Sequence, residues 1–343
     1  MIKLAVIGAG HWGPNHVRTF DSLADCQVWA VSDLDEKRRK TIATQYPNVH
    51  VTADNREIFK NNDIKAVVVC TPTKTHYSVV KEALLAGKNV LCEKPLTTFA
   101  HESEELLNIA EQKGLTLMVG HIFLYNSAIN FLKELVSREE LGGISHMTAV
   151  RTNLGPIRQD VNSVYDLATH DISIFNHILS ARPIEVSAVG LPKLNSEIED
   201  VAFITLRYPG DVLANVHVSW LNPRKVRQMT VIGNKKMATW DDLSSTGSVW
   251  IYDKGVIKEP YYDSLGEFQL LAREGDISIP KIKVQEPLKA QDQSFINILK
   301  GKEKNISDGR MGLDIVYILE ATNKSMKEHG VPVKINYGKN SNG

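Results

Sequence analysis

The fold is decided at the start of the chain by the stretch Leu4-Ala5-Val6-Ile7-Gly8-Ala9-Gly10-His11-Trp12-Gly13. Its apolar first half predicts a buried strand, and the residues after Gly13 predict a helix. In a strand–turn–helix unit of this kind, Gly8 permits the tight turn and Gly10 lets the backbone approach a ligand. Gly13 allows the helix and the strand to pack closely.

Short apolar runs and amphipathic segments then alternate as far as about residue 120. Further runs rich in Val and Ile occur at residues 28–31, 66–70, 90–92 and 115–119. They are continuous, as expected for strands that are buried on both faces. Helical patterns such as 75–86 and 100–113 lie between them. This alternation predicts an α/β fold that begins with a Rossmann doubly wound parallel sheet over residues 1–121.

The pattern changes after residue 122, and a second domain is predicted over residues 122–337. Helices are predicted at 127–137 and 166–179, followed by successive strand candidates between 185 and 252. Strands in such close succession predict a C-terminal α/β domain with a large open antiparallel sheet. Residues 254–286 look irregular, a loop or an interface arm. The last helix is expected at about 309–329, and residues 338–343 are expected to form a disordered tail.

The composition narrows the class of protein. The chain has 343 residues, with 40 Lys and Arg against 40 Asp and Glu, so its charge predicts neither a nucleic-acid nor a membrane partner. Its three cysteines, Cys26, Cys70 and Cys92, form no CxxC pair and predict no disulfide framework or zinc ribbon. No export signal and no apolar run of about 18 residues is recognisable, so a cytoplasmic protein is expected.

The glycine-rich loop predicts a dinucleotide site, with His11 and Trp12 beside the ligand. Free N–H groups at the start of the following helix favour a pyrophosphate. Asp33 lies twenty residues after Gly13, at the end of the second strand. A carboxylate there accepts hydrogen bonds from the adenosine ribose and repels a 2′-phosphate, so NAD is favoured over NADP. The alternative for the loop is a turn with no ligand.

Other residues are predicted to line the same cofactor. Thr71 and Pro72 follow the strand at 66–70, at the carboxyl edge where ligands bind such sheets. His76 begins the next helix, and it either contacts the cofactor or has a capping or packing role. The cations at residues 37–39 either soften the preference for NAD or form a solvated helix face.

Glu93-Lys94-Pro95 follows the strand at 90–92. After a Rossmann half, this triplet resembles the glucose–fructose oxidoreductase / inositol dehydrogenase / rhizopine-catabolism family. The resemblance spans essentially the whole chain, through residues 8–13, 120–126, the pair Asp166 and His170, and 309–331. It implies NAD-dependent oxidation of a sugar hydroxyl, with Glu93, Lys94 and His121 near the cofactor. It also implies that the final helix packs back on the first domain.

The same residues have a coherent chemical interpretation. Asp166 and His170 are four apart on a predicted helix, where a carboxylate can orient an imidazole that acts as a base. Lys94 can stabilise a developing alkoxide. Its bond to Pro95 is expected to be cis, since a cis-proline often fixes such a turn. By resemblance, Lys94, Asp166 and His170 form the catalytic set. Asp166 and His170 could instead be an ordinary helix pair or two ligands of a metal, and Lys94 could be a surface lysine. We predict no metal, because no third ligand is evident.

The substrate is predicted from two shorter stretches. Residues 120–126, with His121, Tyr125 and Asn126, depart from the Arg-Phe-Asn-Pro form of polyol dehydrogenases, and residues 153–158 end in Arg158. Together they resemble the branch that oxidises C3 of a UDP-N-acetylhexosamine or of its uronic acid to a 3-keto sugar. Arg158 would bind a phosphate or carboxylate, or be an ordinary loop cation. His121 would face the cofactor, or simply pack at the end of a strand.

Two other functions remain open, a dehydrogenase of inositol, another polyol or a free sugar, and a non-catalytic protein that senses NAD or a sugar. The expected partner is a small-molecule substrate. The protein is also expected to form a homodimer or homotetramer, because the exposed face of the open sheet needs to be covered.

Overall fold

The computed structural model describes residues 1–155, 157–194, 198–257 and 271–338. Its helices are α1 (Gly13–Asp21), α2 (Glu36–Gln45), α3 (Asn55–Lys60), α4 (Thr73–Leu85), α5 (Ala100–Lys113), α6 (Ser127–Ser137), α7 (Thr169–Leu179), α8 (Pro287–Leu299) and α9 (Gly309–Lys327). Its strands are β1 (Ile2–Ile7), β2 (Cys26–Ser32), β3 (His50–Thr52), β4 (Ile64–Val69), β5 (Asn89–Cys92), β6 (Leu117–Val119), β7 (Ile144–Leu154), β8 (Glu185–Leu191), β9 (Val201–Arg207), β10 (Leu213–Ser219), β11 (Leu221–Gly233), β12 (Met237–Asp241), β13 (Val249–Tyr252), β14 (Gly255–Ile257), β15 (Leu271–Arg273), β16 (Ile277–Ser278) and β17 (Val333–Lys334).

The chain divides into two compact units. The first comprises Met1–Tyr125, Gln285–Glu320 and, within Asn336–Gly343, the described residues up to 338; the second comprises Asn126–Val284 and Ala321–Ile335. Residues 285–320, which the sequence analysis places in the second domain, therefore pack with the first unit. Of the predicted tail, 339–343 lie outside the described residues.

The first unit is built on a parallel sheet of six strands in the order β3-β2-β1-β4-β5-β6. Leu4 and Val6 face one hydrophobic core, to which α8 contributes Phe295, while Ala5 and Ile7 face the other core. Both faces are thus covered, and the predicted Rossmann doubly wound sheet is confirmed. The three-residue β3 was not predicted, because His-Val-Thr is too short for an apolar run.

The second unit is built on a sheet of nine strands in the order β16-β13-β12-β11-β7-β10-β9-β8-β17. The predicted α/β class with a large sheet is confirmed, but the sheet is mixed, because β10 runs parallel to β7. Along β9, Ala202, Ile204 and Leu206 are buried, whereas the residues between them face outward. The predicted irregular stretch 254–286 contains β14, β15 and β16 among its described residues.

The predicted helix at 166–179 begins differently. Val164–Ala168 form a π-helical turn, and α7 starts only at Thr169. In a π turn the hydrogen bonds run from i to i+5, so the predicted α-helical start at residue 166 was wrong, whereas the placement of Asp166 and His170 on one helix face stays a prediction. Among the helices described, none is both long and apolar enough to cross a membrane.

Candidate active site

The glycine-rich loop joins β1 to α1 in a conformation that only glycine permits. Gly8 has a φ of +96°, and a Cβ there would lie 2.8 Å from the main chain of Cys70. A Cβ on Gly13 would clash with the main-chain oxygen of Gly8. Gly10 is less crowded, with its nearest neighbour, Nη1 of Arg38, 3.7 Å from such a Cβ. The loop is therefore fixed at both ends and has room at its centre for an approaching ligand.

Asp33 lies directly after β2 and ties the glycine-rich loop in place. Its Oδ2 accepts a hydrogen bond from the Ala9 N–H at 2.6 Å, and its Oδ1 accepts one from Asp35 N–H at 2.8 Å. Nη1 of Arg38 lies 3.6 Å from the same carboxylate. Arg39 donates to the Asp33 main-chain oxygen at 2.7 Å. Two of the three cations at 37–39 thus contact the predicted cofactor residue.

His76 joins two loops at the carboxyl edge of the first sheet. It is 1% exposed, with Nδ1 2.9 Å from the Pro95 oxygen and Nε2 2.8 Å from the Thr71 oxygen. Thr71 accepts a hydrogen bond from the Thr75 hydroxyl, and Pro72 precedes the first residue of α4. These two contacts are those of the packing alternative, and a direct contact of His76 with a cofactor stays a prediction.

The Glu93-Lys94-Pro95 turn follows β5, and its Lys94–Pro95 bond is cis, as expected. Oε2 of Glu93 accepts a hydrogen bond from the Lys94 N–H at 3.2 Å, and Lys94 is 8% exposed. A Cβ on Gly120 would lie 3.3 Å from the Glu93 side chain, so the turn and the end of β6 are closely packed. Oε1 of Glu93 lies 3.1 Å from Nε2 of His16.

His16 and Asp292 were not predicted from the sequence. Nδ1 of His16 lies 3.0 Å from Oδ1 of Asp292, and both residues are fully buried. Burial lowers the pKa of His16, but its attraction to Asp292 and its hydrogen bonds to Asp292 and Glu93 outweigh burial and raise that pKa to about 10. The sequence did hold one signal for this pair: His16 lies with Val17 and Phe20 on a helix. A polar residue on an apolar helix face needs a hydrogen-bond partner.

His121, which follows β6, is fully buried. Among the described residues, neither of its ring nitrogens has a hydrogen-bond partner. Burial and the nearby Lys94 cation lower its pKa to about 4, so the imidazole is neutral near pH 7. Tyr125 ends the following 3-10 turn, and burial raises the pKa of its hydroxyl.

These features fit a bound dinucleotide. The loop has space above Gly10, the Asp33 carboxylate lies directly after β2, and His121 offers two buried nitrogens that have no hydrogen-bond partner in the described part of the chain. Gly10 would face the pyrophosphate and Asp33 the adenosine ribose. His11 and Trp12 lie in the same loop, with their rings 5.6 Å apart.

In the second unit, Asp166 lies in the π turn and is held from two sides. Its Oδ2 accepts a hydrogen bond from Nε1 of Trp220 at 3.1 Å, and its Oδ1 lies 3.5 Å from Nη1 of Arg158. Arg158 also donates to Asp160, from Nε to Oδ1 at 2.9 Å. Trp220 was missed by sequence reasoning, because it lies 54 residues from Asp166.

His170 lies in the first turn of α7, and the neighbouring Asp171 anchors that helix. Nε and Nη2 of Arg151, on β7, donate to the two oxygens of Asp171 at 2.9 and 2.8 Å. Arg151 is 4% exposed and Asp171 1%. A buried bidentate pair therefore fixes the residue that follows His170.

Asn126 caps α6, and its Oδ1 accepts hydrogen bonds from the N–H groups of Ala128 and Ile129 at 2.9 and 3.4 Å. Its Nδ2 donates to Asp242 at 3.4 Å. Its oxygen is thus used by the helix, and a contact with a sugar would have to come from its amide nitrogen.

The predicted site residues divide between the two units. The glycine-rich loop, Asp33, Thr71, Pro72, His76, Glu93, Lys94, His121 and Tyr125 belong to the first unit, and Asn126, Arg158, Asp166 and His170 belong to the second. Among the described residues, no group of three His, Cys, Asp or Glu side chains could hold a metal ion.

Comparison with known proteins identifies the class. Residues 2–121 match the oxidoreductase family with an NAD-binding Rossmann fold, and residues 129–239 match the GFO/IDH/MocA C-terminal domain. The chain belongs to this GFO/IDH/MocA family. It is an NAD-dependent oxidoreductase, which decides against the non-catalytic sensor that the sequence left open.

Three relatives are informative. The UDP-N-acetylglucosamine 3-dehydrogenase of Acidithiobacillus ferrooxidans is 25% identical over 319 residues, covering 91% of this chain and 93% of the relative. A structure of that enzyme matches 95% of this chain and 98% of its own, with 23% identity and a TM-score of 0.80.

A myo-inositol 2-dehydrogenase of Thermotoga maritima is 24% identical over 345 residues, covering 95% and 97% of the two chains. The WlbA dehydrogenase of Bordetella pertussis, solved with NADH and UDP-GlcNAcA, shares the fold. Its TM-score is 0.80 at 18% identity, over 98% of this chain and 99% of that one.

Proposed function

We propose that this protein oxidises C3 of a UDP-linked N-acetylhexosamine, or of its uronic acid, to the 3-keto sugar. The observation that carries the proposal is the Arg158 guanidinium, 3.5 Å from Asp166 in the turn that precedes His170. A cation there suits a substrate with a phosphate or carboxylate. The relative of 25% identity that is named a UDP-N-acetylglucosamine 3-dehydrogenase supports the same substrate class.

The chemistry needs a base for the hydroxyl proton and a cation for the developing charge. When bound, NAD supplies the nicotinamide that accepts a hydride from the sugar carbon. His170 takes the hydroxyl proton, and Asp166, held by Trp220, orients the substrate and the base. The Lys94 ammonium stabilises the alkoxide as the C–H bond breaks. The neutral His121 imidazole lies near Lys94 and adds no competing positive charge.

Arg158 has to change partners for this role. It is held by Asp160 at 2.9 Å, a contact between side chains that are about one quarter exposed. Since partly exposed ion pairs contribute little stability, a phosphate or carboxylate that offers the same bidentate geometry can replace Asp160 at small cost. A neutral polyol offers no such exchange.

The competing substrate is inositol, because inositol dehydrogenases match the chain over similar lengths. The two are distinguished by NADH formation from UDP-GlcNAc, UDP-GlcNAcA, inositol and glucose. We expect turnover with a UDP-sugar and a rise in its KM of roughly 10- to 100-fold in Arg158→Met, the loss of one charge-assisted contact. Arg138→Met, which removes an exposed cation paired with Glu134, is the matched control. Turnover with inositol alone, unchanged in Arg158→Met, would refute the substrate assignment.

We also propose self-association through the open face of the large sheet, in a cytoplasmic homodimer or homotetramer. Val189, Leu191 and Phe203 are each about half exposed there, and Phe203 stacks on His217 with ring centroids 4.4 Å apart. Exposed apolar residues on a sheet face favour a second copy as partner. Light scattering should give a multiple of the chain mass that Phe203→Glu lowers; a monomeric wild type would contradict this.

A further inference from the structure

A buried chain of charged groups links α8 to the Glu93-Lys94-Pro95 turn. His16 stands at its centre, with Nδ1 3.0 and 3.1 Å from the two oxygens of Asp292 and Nε2 3.1 Å from Oε1 of Glu93. The Thr19 hydroxyl donates to Asp292 as well. His16 and Asp292 are fully buried, and the Glu93 side chain is 12% exposed.

The contacts specify the charge on His16. Ionised carboxylates only accept hydrogen bonds, and a neutral imidazole has a single N–H to donate. While both carboxylates are ionised, only the imidazolium gives both Asp292 and Glu93 a donor. Burial raises the pKa of Asp292, and the charge of His16 and its hydrogen bond oppose that rise. The imidazolium charge, together with that of Lys94 beside Glu93, balances the two carboxylates, so four buried or nearly buried charges sum to zero.

The groups that face His16 come from three directions. Glu93 approaches from the end of β5 and Asp292 from α8, and Thr19 lies on its own helix. Burial raises the pKa of the Cys70 thiol, which follows β4, and the charges of Glu93 and Asp292 raise it further. The thiol therefore remains protonated. Lys94 acts electrostatically on Glu93, and Arg18, on the same helix as His16, acts electrostatically on Asp292.

The chain of contacts ends on the predicted catalytic lysine. Once Oε1 of Glu93 is held by His16, its Oε2 accepts the hydrogen bond from the Lys94 N–H at 3.2 Å. Glu93 also packs closely against Gly120, where a Cβ would lie only 3.3 Å from the Glu93 side chain. The other side of the turn is held by His76 at the Pro95 oxygen. The main chain of Lys94 is thus fixed by two histidines.

We propose that His16 is a positioning residue: as an imidazolium anchored by Asp292, it orients Glu93 and thereby sets Lys94 for hydride transfer. This inference rests on the role of Lys94 given under the proposed function. Loss of the charge should lower kcat roughly 10- to 100-fold, because displacing a catalytic group by about an ångström has an effect of that size. The KM for NAD should stay within about 3-fold, since the glycine-rich loop and Asp33 are untouched.

The test compares His16→Gln with His50→Gln. His50 makes an exposed contact with Glu57 at 3.1 Å in the same unit, so it controls for the loss of a His–carboxylate pair. We expect kcat to fall only in His16→Gln. In the double variant with Glu93→Gln the loss should not exceed that of the larger single variant, because both changes break one chain of contacts. A merely structural role would lower thermal stability and leave these kinetic effects additive.

A second measurement needs no variant and no turnover. Nitrogen-15 NMR of histidine-labelled wild-type protein should show both His16 nitrogens carrying protons at pH 8, where a histidine with the ordinary pKa of about 6.5 is neutral. A neutral His16 at pH 8, or a kcat within 2-fold of wild type in folded His16→Gln, would overturn the inference. Full activity in Lys94→Ala would instead refute the proposed function; an inactive Lys94→Ala beside an active His16→Gln refutes only the positioning role.

Discussion

Replacing Asp171 by Asn tests how firmly the helix that carries His170 is anchored. Asp171 and Arg151 form a bidentate pair at 2.8 and 2.9 Å and are 1% and 4% exposed. Asn has nearly the shape of Asp, so the substitution opens no cavity but removes the negative charge that Asp171 places beside the buried Arg151 guanidinium. Removing one partner of such a pair costs about 3–5 kcal/mol.

The assay is urea unfolding followed by circular dichroism, with kcat measured on the folded variant. We expect Asp171→Asn to lose about 3–5 kcal/mol and also to lower kcat, because His170 adjoins the loosened residue. Glu134→Gln, which breaks the exposed pair with Arg138, should change stability by less than about 0.5 kcal/mol. The double variant Arg151→Met/Asp171→Leu should recover most of the loss, since no charge then remains buried. A loss below about 1 kcal/mol in Asp171→Asn, or no recovery in the double variant, would refute the reasoning.

Three further predictions concern the first unit. Gly13→Ala should abolish NAD binding in calorimetry, because its Cβ would collide with the Gly8 oxygen, whereas Gly114→Ala, beyond α5 and open to solvent, should bind normally. Asp33→Asn should raise the ratio of NADP to NAD in kcat/KM about 10-fold or more, since a carboxylate repels the 2′-phosphate. The stability due to His16, whose pKa is raised from 6.5 to about 10, should be complete below pH 6.5 and lost as pH rises through about 10. Urea midpoints across that range should fall less steeply in His16→Gln; equal slopes would contradict the buried imidazolium.

The local signals of the sequence were sufficient for most of the fold. The glycine-rich loop and the continuous apolar runs predicted the parallel sheet, because each strand is buried on both faces. The three-residue β3 was beyond that method, and so was the parallel pairing of β7 with β10, which depends on residues more than 60 positions apart. The π turn at Val164–Ala168 was missed because no local pattern separates it from the first turn of an α-helix.

For the site, the sequence predicted residues that carry a motif and missed those defined by their partners. Asp33 and Lys94 follow strands at recognisable spacings. His16 depends on Asp292, 276 residues away, and Asp166 depends on Trp220. Such pairs form only when distant segments fold together, so their role appears only in the structure.

The central claim is tested most directly by mixing the protein with NAD and UDP-GlcNAc or UDP-GlcNAcA and following NADH, beside His170→Ala. The account predicts NADH formation that falls by about 100-fold or more in the variant, the contribution of a general base. No NADH with either UDP-sugar, alongside turnover of inositol or glucose, would contradict it.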